Sequence, residues 1–198
     1  RINYLENQNN ISLSNLHLTD NFKIIDLENL KLKYFNNNKK LNELNILKKN
    51  DNFKINSQNF DGKLIIKNLL NGNSNSNFLK NFKNLNTEII FKFDKFYVHD
   101  DDYLEKIRGS IFIENNTIRY GNITAKLNNK NDFNLNIKTN SNNEKKTNLF
   151  IDKPRPFIQN FNFIKGFNKG TLSYSSIQKN NTSKSNLKIY DFKIKEVP

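Results

Sequence analysis

His99-Asp100-Asp101-Asp102 is the one cluster in this chain whose residue types could hold a metal ion or pass a proton. Its spacing works against both. Consecutive residues in an extended strand point alternately to opposite faces, so these four converge only if the chain turns. A calcium loop of the EF-hand kind needs oxygen ligands spaced along the loop and a glycine at its sharp bend, and this stretch has neither. It reads as an acidic turn between a strand ending at Val98 and one starting near Ile107. His17, inside Leu16-His17-Leu18, falls on the outward face of a strand with no partner evident. No G-x-S-x-G elbow is present, and 2 histidines leave little from which to build a nucleophile–base pair. The 6 glycines form neither a phosphate-binding loop nor a dinucleotide fingerprint. Sequons such as Asn122-Ile123-Thr124 and Asn181-Thr182-Ser183 arise by chance in a chain so rich in Asn. The sequence therefore predicts no enzyme, no cofactor and no metal.

Composition bounds the rest. Roughly one residue in five is Asn, and Lys and Ile are abundant. These three share A/T-rich codons, so a low-GC genome yields this bias without selection on the protein. The net charge is +13 and the pI near 9.7, which would suit nucleic acid or anionic headgroups. Yet the lysines are spread along the chain and no nucleic-acid-binding motif accompanies them, so no nucleic acid is expected and the charge solvates outward faces. Cysteine is absent, which excludes disulfides and thiol chemistry. With 35% hydrophobic residues, 17 Phe and 7 Tyr in regular placement, the chain reads as folded rather than disordered. Beginning at Arg1 and ending at Pro198, it reads as a single fragment of a longer, elongated protein.

Alternation at period two dominates. Leu30, Leu32 and Tyr34 point one way; so do Phe60, Gly62, Leu64 and Ile66; then Ile89, Phe91 and Phe93. Further runs are Gly109, Ile111 and Ile113; Ile123, Ala125 and Leu127; and Phe133, Leu135 and Ile137. Asn-rich pairs between them, including Asn115-Asn116, Asn128-Asn129 and Asn180-Asn181, suit hairpin turns because Asn tolerates positive φ. Phase changes at Ser14-Asn15 and Tyr190-Asp191 suggest bulges that bend the sheet. Residues 71–86 read as a long Asn/Ser-rich loop with one helical turn near Phe78, Leu79 and Phe82, the one place for an internal boundary. Phe157, Phe161 and Ile164 carry helical spacing, predicting a short helix near 154–165, and Gly166 and Gly170 return the chain to strand. The predicted class is all-β, an antiparallel meander. It either curls into a half-pipe or packs as a β-sandwich, and strand pattern does not choose.

The stretch DKPRPFIQNFNFIKGFNKGTLSYSSI followed by SKSNLKIYDFKIKEVP resembles the C-terminal region of bacterial AsmA-like proteins, especially the large YhdP-type members. The resemblance rests on a "G-hydrophobic-x-x-G-x-L" turn at Gly166, Phe167, Gly170 and Leu172. It rests also on a "hydrophobic-x-D-F-x-hydrophobic-x-x-x-P" signature at Ile189, Asp191, Phe192, Ile194 and Pro198. KIRGSIFIENNTIRYGNITAKL, with Gly109, Ile111 and Gly121, is similar to that family's repeating strand pairs. Lys169 departs from it, standing where many members carry a second glycine. The resemblance covers about the last half of the chain, in line with how little short strand patterns specify. It implies the periplasmic part of a protein anchored in the inner membrane of a Gram-negative bacterium, with the anchor outside this stretch. It also implies a curled sheet that carries phospholipid between inner and outer membranes and supports outer-membrane integrity. On that reading acyl chains meet a groove of Ile89, Phe91, Phe93, Ile111, Ile113, Ile123, Leu127, Phe133, Leu135 and Ile137. The alternative is a structural or assembly β-domain, its apolar face closed, that binds another envelope protein.

Overall fold

Period-two alternation folds here as twelve strands in one open sheet, seen in a computed structural model that describes residues 2–6, 9–36, 39–65, 81–99, 101–158, 167–180 and 182–194. The first five strands are β1 (Ile2–Leu5), β2 (Asn10–Leu18), β3 (Ile24–Phe35), β4 (Leu41–Lys49) and β5 (Asn52–Asp61). Then come β6 (Thr87–Tyr97), β7 (Tyr103–Glu114), β8 (Thr117–Leu127), β9 (Asn131–Thr139) and β10 (Lys145–Asp152). A helical turn, α1 (Arg155–Ile158), precedes β11 (Phe167–Lys179) and β12 (Thr182–Ile194). Spatial order equals chain order, and the sheet curves without closing into a barrel, so the sandwich alternative does not hold.

One pairing departs from the expected all-antiparallel meander. β5 and β6 run parallel, from Phe53↔Ile89 to Asp61↔Tyr97. The cause is where β5 stops. Alternation suggested a strand over Phe60–Ile66, but β5 ends at Asp61 and residues 63–65 are helical. Gly62 donates its N–H to the Tyr97 carbonyl at 2.9 Å. A Cβ at Gly62 would stand 1.9 Å from Phe96 Cζ, so glycine lets the chain pass close under that ring as it leaves the strand. It re-enters at the opposite end as β6, the geometry that a parallel pair requires. Residues 71–80 of the anticipated boundary lie outside the described residues; the sheet is hydrogen-bonded across it through β5 and β6.

The Asn pairs supply the turns. Asn115 and Asn116 (φ 49° and 58°) and Asn128 and Asn129 (φ 46° and 65°) take two successive left-handed residues, the type I′ geometry that matches strand twist. The phase changes are also present, in a form other than an inserted residue. Register is preserved through Asn15 (φ 49°), Lys106 (φ 53°) and the facing Gly170 and Asp191 (φ 83° and 53°). A single left-handed residue reverses the alternation, so Leu104 and Ile107, an odd number apart on either side of Lys106, are both buried. Inserted residues lie between His17 and Leu18 and between Phe112 and Ile113, and also between Glu105 and Arg108, where β7 keeps register with β6 through Lys106 but slips against β8.

Two caps cover part of the apolar face. At the lower end, Phe82 forms a parallel bridge with Ile24, and Lys83 donates its N–H to the Ile24 carbonyl. Asn116 fixes the segment: its amide donates to the Phe82 carbonyl (3.0 Å) and its Oδ1 accepts from Leu85 N–H (2.5 Å). Phe82 and Leu85 are thereby buried against Phe53, Ile89 and Ile113. At the upper end, α1 buries Pro156, Phe157 and Ile158. The Phe157 ring stacks on Phe133 at 5.8 Å, within a cluster containing Val98, Leu104, Leu127, Ile151 and Leu172. Burying one such aromatic contributes about 2–3 kcal/mol. Of the helix expected near 154–165, the turn at Arg155–Ile158 is described; Phe161, Ile164 and Gly166 lie outside the described residues, as does Pro198.

Candidate functional site

Between the caps, the pleat places one residue per strand in a continuous apolar row. Leu13, Leu30, Ile46, Ile55 and Phe91 are successive cross-strand partners. The row continues through Gly109, Ile123, Leu135, Leu149, Tyr174 and Leu187. From Leu13 to Tyr174 every member is half-buried, neither in the core nor free in solvent. The row above it, through Phe93, Ile107, Ala125, Phe133, Ile151 and Leu172, goes under α1 and is mostly buried. The row below runs Phe53, Ile89, Ile111, Gly121 and Ile137, then turns polar at Thr147 and Ser176.

All ten groove residues named from sequence fall on this face. They divide in two. Ile89, Phe93, Ile113 and Leu127 are buried beneath the caps, whereas Phe91, Ile111, Ile123, Phe133, Leu135 and Ile137 are half-buried. Of the signature residues, Leu172 is buried in the upper cluster, and Gly170, Asp191 and Phe192 form the β11–β12 kink. A Cβ at Gly170 would lie 2.6 Å from the Tyr190 carbonyl oxygen, so glycine is required there. Sequence reasoning left out Ile46, Ile55 and Leu149. The last was legible in Thr147-x-Leu149-x-Ile151, while Ile46 is flanked by Leu47 and lacks clean alternation. Also missed is Glu105, buried at the β7 bulge with its Oε1 lacking a hydrogen-bond partner; no pattern marks it.

Charges gather on the other face. Lys33 pairs with its register partner Glu43 (3.3 Å), Arg108 with Asp94 (3.2 Å), and Lys126 with Asp132 (2.5 Å). Such exposed pairs contribute little individually. At the lower margin, the Lys48 ammonium, 2.7 Å from Asp26, holds that carboxyl below its usual value. Burial pushes the Tyr34 phenol up. Asn42, buried beside it, is satisfied: its amide donates to the Lys40 carbonyl and its Oδ1 accepts from Asp61 N–H. The acidic stretch is the β6–β7 turn, in which Val98 N–H donates to the Asp102 carbonyl. Its carboxylates diverge, Asp101 toward Lys40 and Asp102 toward the Asn128 amide. Among the described residues, no three His, Asp or Glu side chains are grouped to hold a metal.

Fold and site together define a class: an open, single-sheet β protein with one charged face and one apolar face capped at both ends. No protein-family model, curated protein or solved structure matches the chain.

Proposed function

We propose that the half-buried strip between the caps holds the acyl chains of phospholipid, in the periplasmic, inner-membrane-anchored setting of AsmA-like proteins that carry lipid toward the outer membrane. The observation that carries this reading is the central row, apolar across β2–β12 and nowhere fully buried from Leu13 to Tyr174. A closed core would bury that row; a solvated face would not be apolar. Acyl chains need only a continuous apolar surface, because burial is non-directional and supplies about 0.8 kcal/mol per methylene. The resemblance gains physical sense as well. Lys169, where many members have a second glycine, takes φ 62°, and Asp191 takes φ 53°, conformations that glycine and Asp tolerate best.

Mass spectrometry of the purified protein should find phospholipid bound. The doubly substituted Ile123→Asp/Leu135→Asp protein should lose about tenfold or more of it, since desolvating a carboxylate against a hydrocarbon chain outweighs one decade of affinity. Its far-UV circular dichroism should be unchanged. A lipid-free native protein, or equal lipid in both, removes this reading.

A second reading has one observation behind it. Among the described strands β12 is the outermost, and its Leu187, Tyr190 and Phe192 are 56%, 49% and 46% exposed, a surface suited to another envelope protein.

A further inference from the structure

The charged face carries an aromatic pair that nothing above accounts for. Phe112 and Tyr120 are direct cross-strand partners, 37% and 46% exposed, with ring centroids 5.5 Å apart and planes inclined by 35°. An irregularity in pairing sets them there. Register slips between Phe112↔Tyr120 and Ile113↔Ile118, giving β8 one extra residue at Arg119. Ile118 and Tyr120 share parity and would share a face in a regular strand. With the insertion, Ile118 packs against the buried lower cluster while Tyr120 turns to the opposite side beside Phe112. Re-aiming a side chain in this way is a known use of bulges.

The surroundings of the pair are polar and unused. One cross-strand row reads Glu88, Phe112, Tyr120, Lys138, and the next reads Ser110, Asn122, Asn136. Together they line a shallow hollow of about 470 Å³. Among the described residues, the side chains of Glu88, Ser110, Tyr120, Asn122, Asn136 and Lys138 make no hydrogen bond. Asn116, Asn128 and Asn140, by contrast, spend their side chains on turns and caps.

We infer that this hollow is a binding site for a neutral oligosaccharide. The C–H-lined face of a pyranose ring covers an aromatic ring, burying apolar area, while its equatorial hydroxyls reach outward to donors and acceptors at the rim. Asn122 and Asn136 each offer both a donor and an acceptor, and Ser110 and the Tyr120 hydroxyl can act as either, which suits hydroxyl groups. From β6 to β9 the row spans three strand spacings, about 14 Å, the reach of a di- or trisaccharide. Local charge decides between ligand classes. Among the residues lining the hollow, the one carboxylate, Glu88, and the one ammonium, Lys138, offset each other, in a chain whose net charge is +13. A single-stranded nucleic acid would stack on the same rings, but it requires cations along its backbone and would meet the Glu88 carboxylate instead.

The test uses the whole chain with cellotriose, maltotriose and tri-N-acetylchitotriose as probes, read by two-dimensional NMR of the Asn122 and Asn136 side-chain amides. At least one trisaccharide should shift these signals saturably, with a Kd in the millimolar range or tighter. Phe112→Ala and Tyr120→Ala should each weaken that binding tenfold or more. Phe150→Ala, which removes another exposed ring from this face, should leave it unchanged. Circular dichroism confirms that each variant is folded. If an alanine variant does not fold, Tyr120→Phe together with Asn136→Ala carries the same test. No saturable shift with any probe, shifts that survive loss of the rings, or binding of oligouridylate in place of the sugars would each overturn the assignment.

Discussion

Ile113→Asp should leave too little folded protein to measure, while Ile123→Asp should leave the sheet intact. Both positions were placed in one groove by sequence, and both side chains lie on the apolar face. Their surroundings differ. Ile113 is 0% exposed, enclosed by Ile118 and the cap residues Phe82 and Leu85. Removing its apolar side chain forfeits about 2 kcal/mol, and an unpaired carboxylate in its place costs about 4 kcal/mol more. Together these approach the whole stability of a typical domain, about 5–15 kcal/mol. Ile123 sits in the central row, half-buried, where a carboxylate keeps part of its hydration. Denaturant titration of both variants decides the matter. If Ile123→Asp unfolds the protein as completely as Ile113→Asp, the central row is core and the lipid proposal fails with it.

Adding one methyl group at position 109 should cost about 3 kcal/mol or more, with a fall in Tm of roughly 6–12 °C. Gly109 occupies the central row between Phe91 and Ile123, at φ 148°, a backbone that side-chain-bearing residues rarely adopt. A Cβ there would stand 1.9 Å from the Asn122 carbonyl oxygen and 2.8 Å from Ile123 Cα. Those atoms are backbone of the neighbouring strand and cannot rotate aside, so β7 and β8 would have to part. Gly121→Ala is the contrasting variant. Its Cβ would meet the Ile111 Cγ2 methyl at 3.0 Å, a side-chain contact that can yield, so about 1 kcal/mol is expected. Equal losses at the two glycines, measured by chemical denaturation, would contradict the steric account.

These contrasts also mark what sequence could convey. Alternation identified which side chains share a face, and Asn115-Asn116 and Asn128-Asn129 marked hairpins because their amides tolerate positive φ. The phase changes at Ser14-Asn15 and Tyr190-Asp191 signalled real kinks, although each comes from a left-handed residue rather than an inserted one. What lies over a face is not written in its alternation. Ile113 and Ile123 look alike in sequence, and their difference depends on Phe82 and Leu85 arriving from across the parallel β5–β6 pair. That pair was hidden because Phe60-x-Gly62-x-Leu64 continues the strand pattern past the true end of β5. Tyr120 was hidden likewise: one inserted residue, invisible to periodicity, decides whether it faces the core or the solvent.

The parallel pairing has a kinetic consequence too. Within β1–β5 and within β6–β12, each strand meets the one next to it in sequence, so pairing closes short loops at small entropic cost everywhere except between β10 and β11, where residues 153–166 intervene. Joining β5 to β6 requires residues 62–86 to be closed as one long loop before any hydrogen bond rewards it. The polypeptide is thus expected to assemble as two locally nucleated blocks that zip together last. Native-state hydrogen exchange should find the Phe53–Asp61 amides that face β6 opening at lower free energy than those joining β7 to β8; uniform protection across both ladders would mean a single cooperative unit.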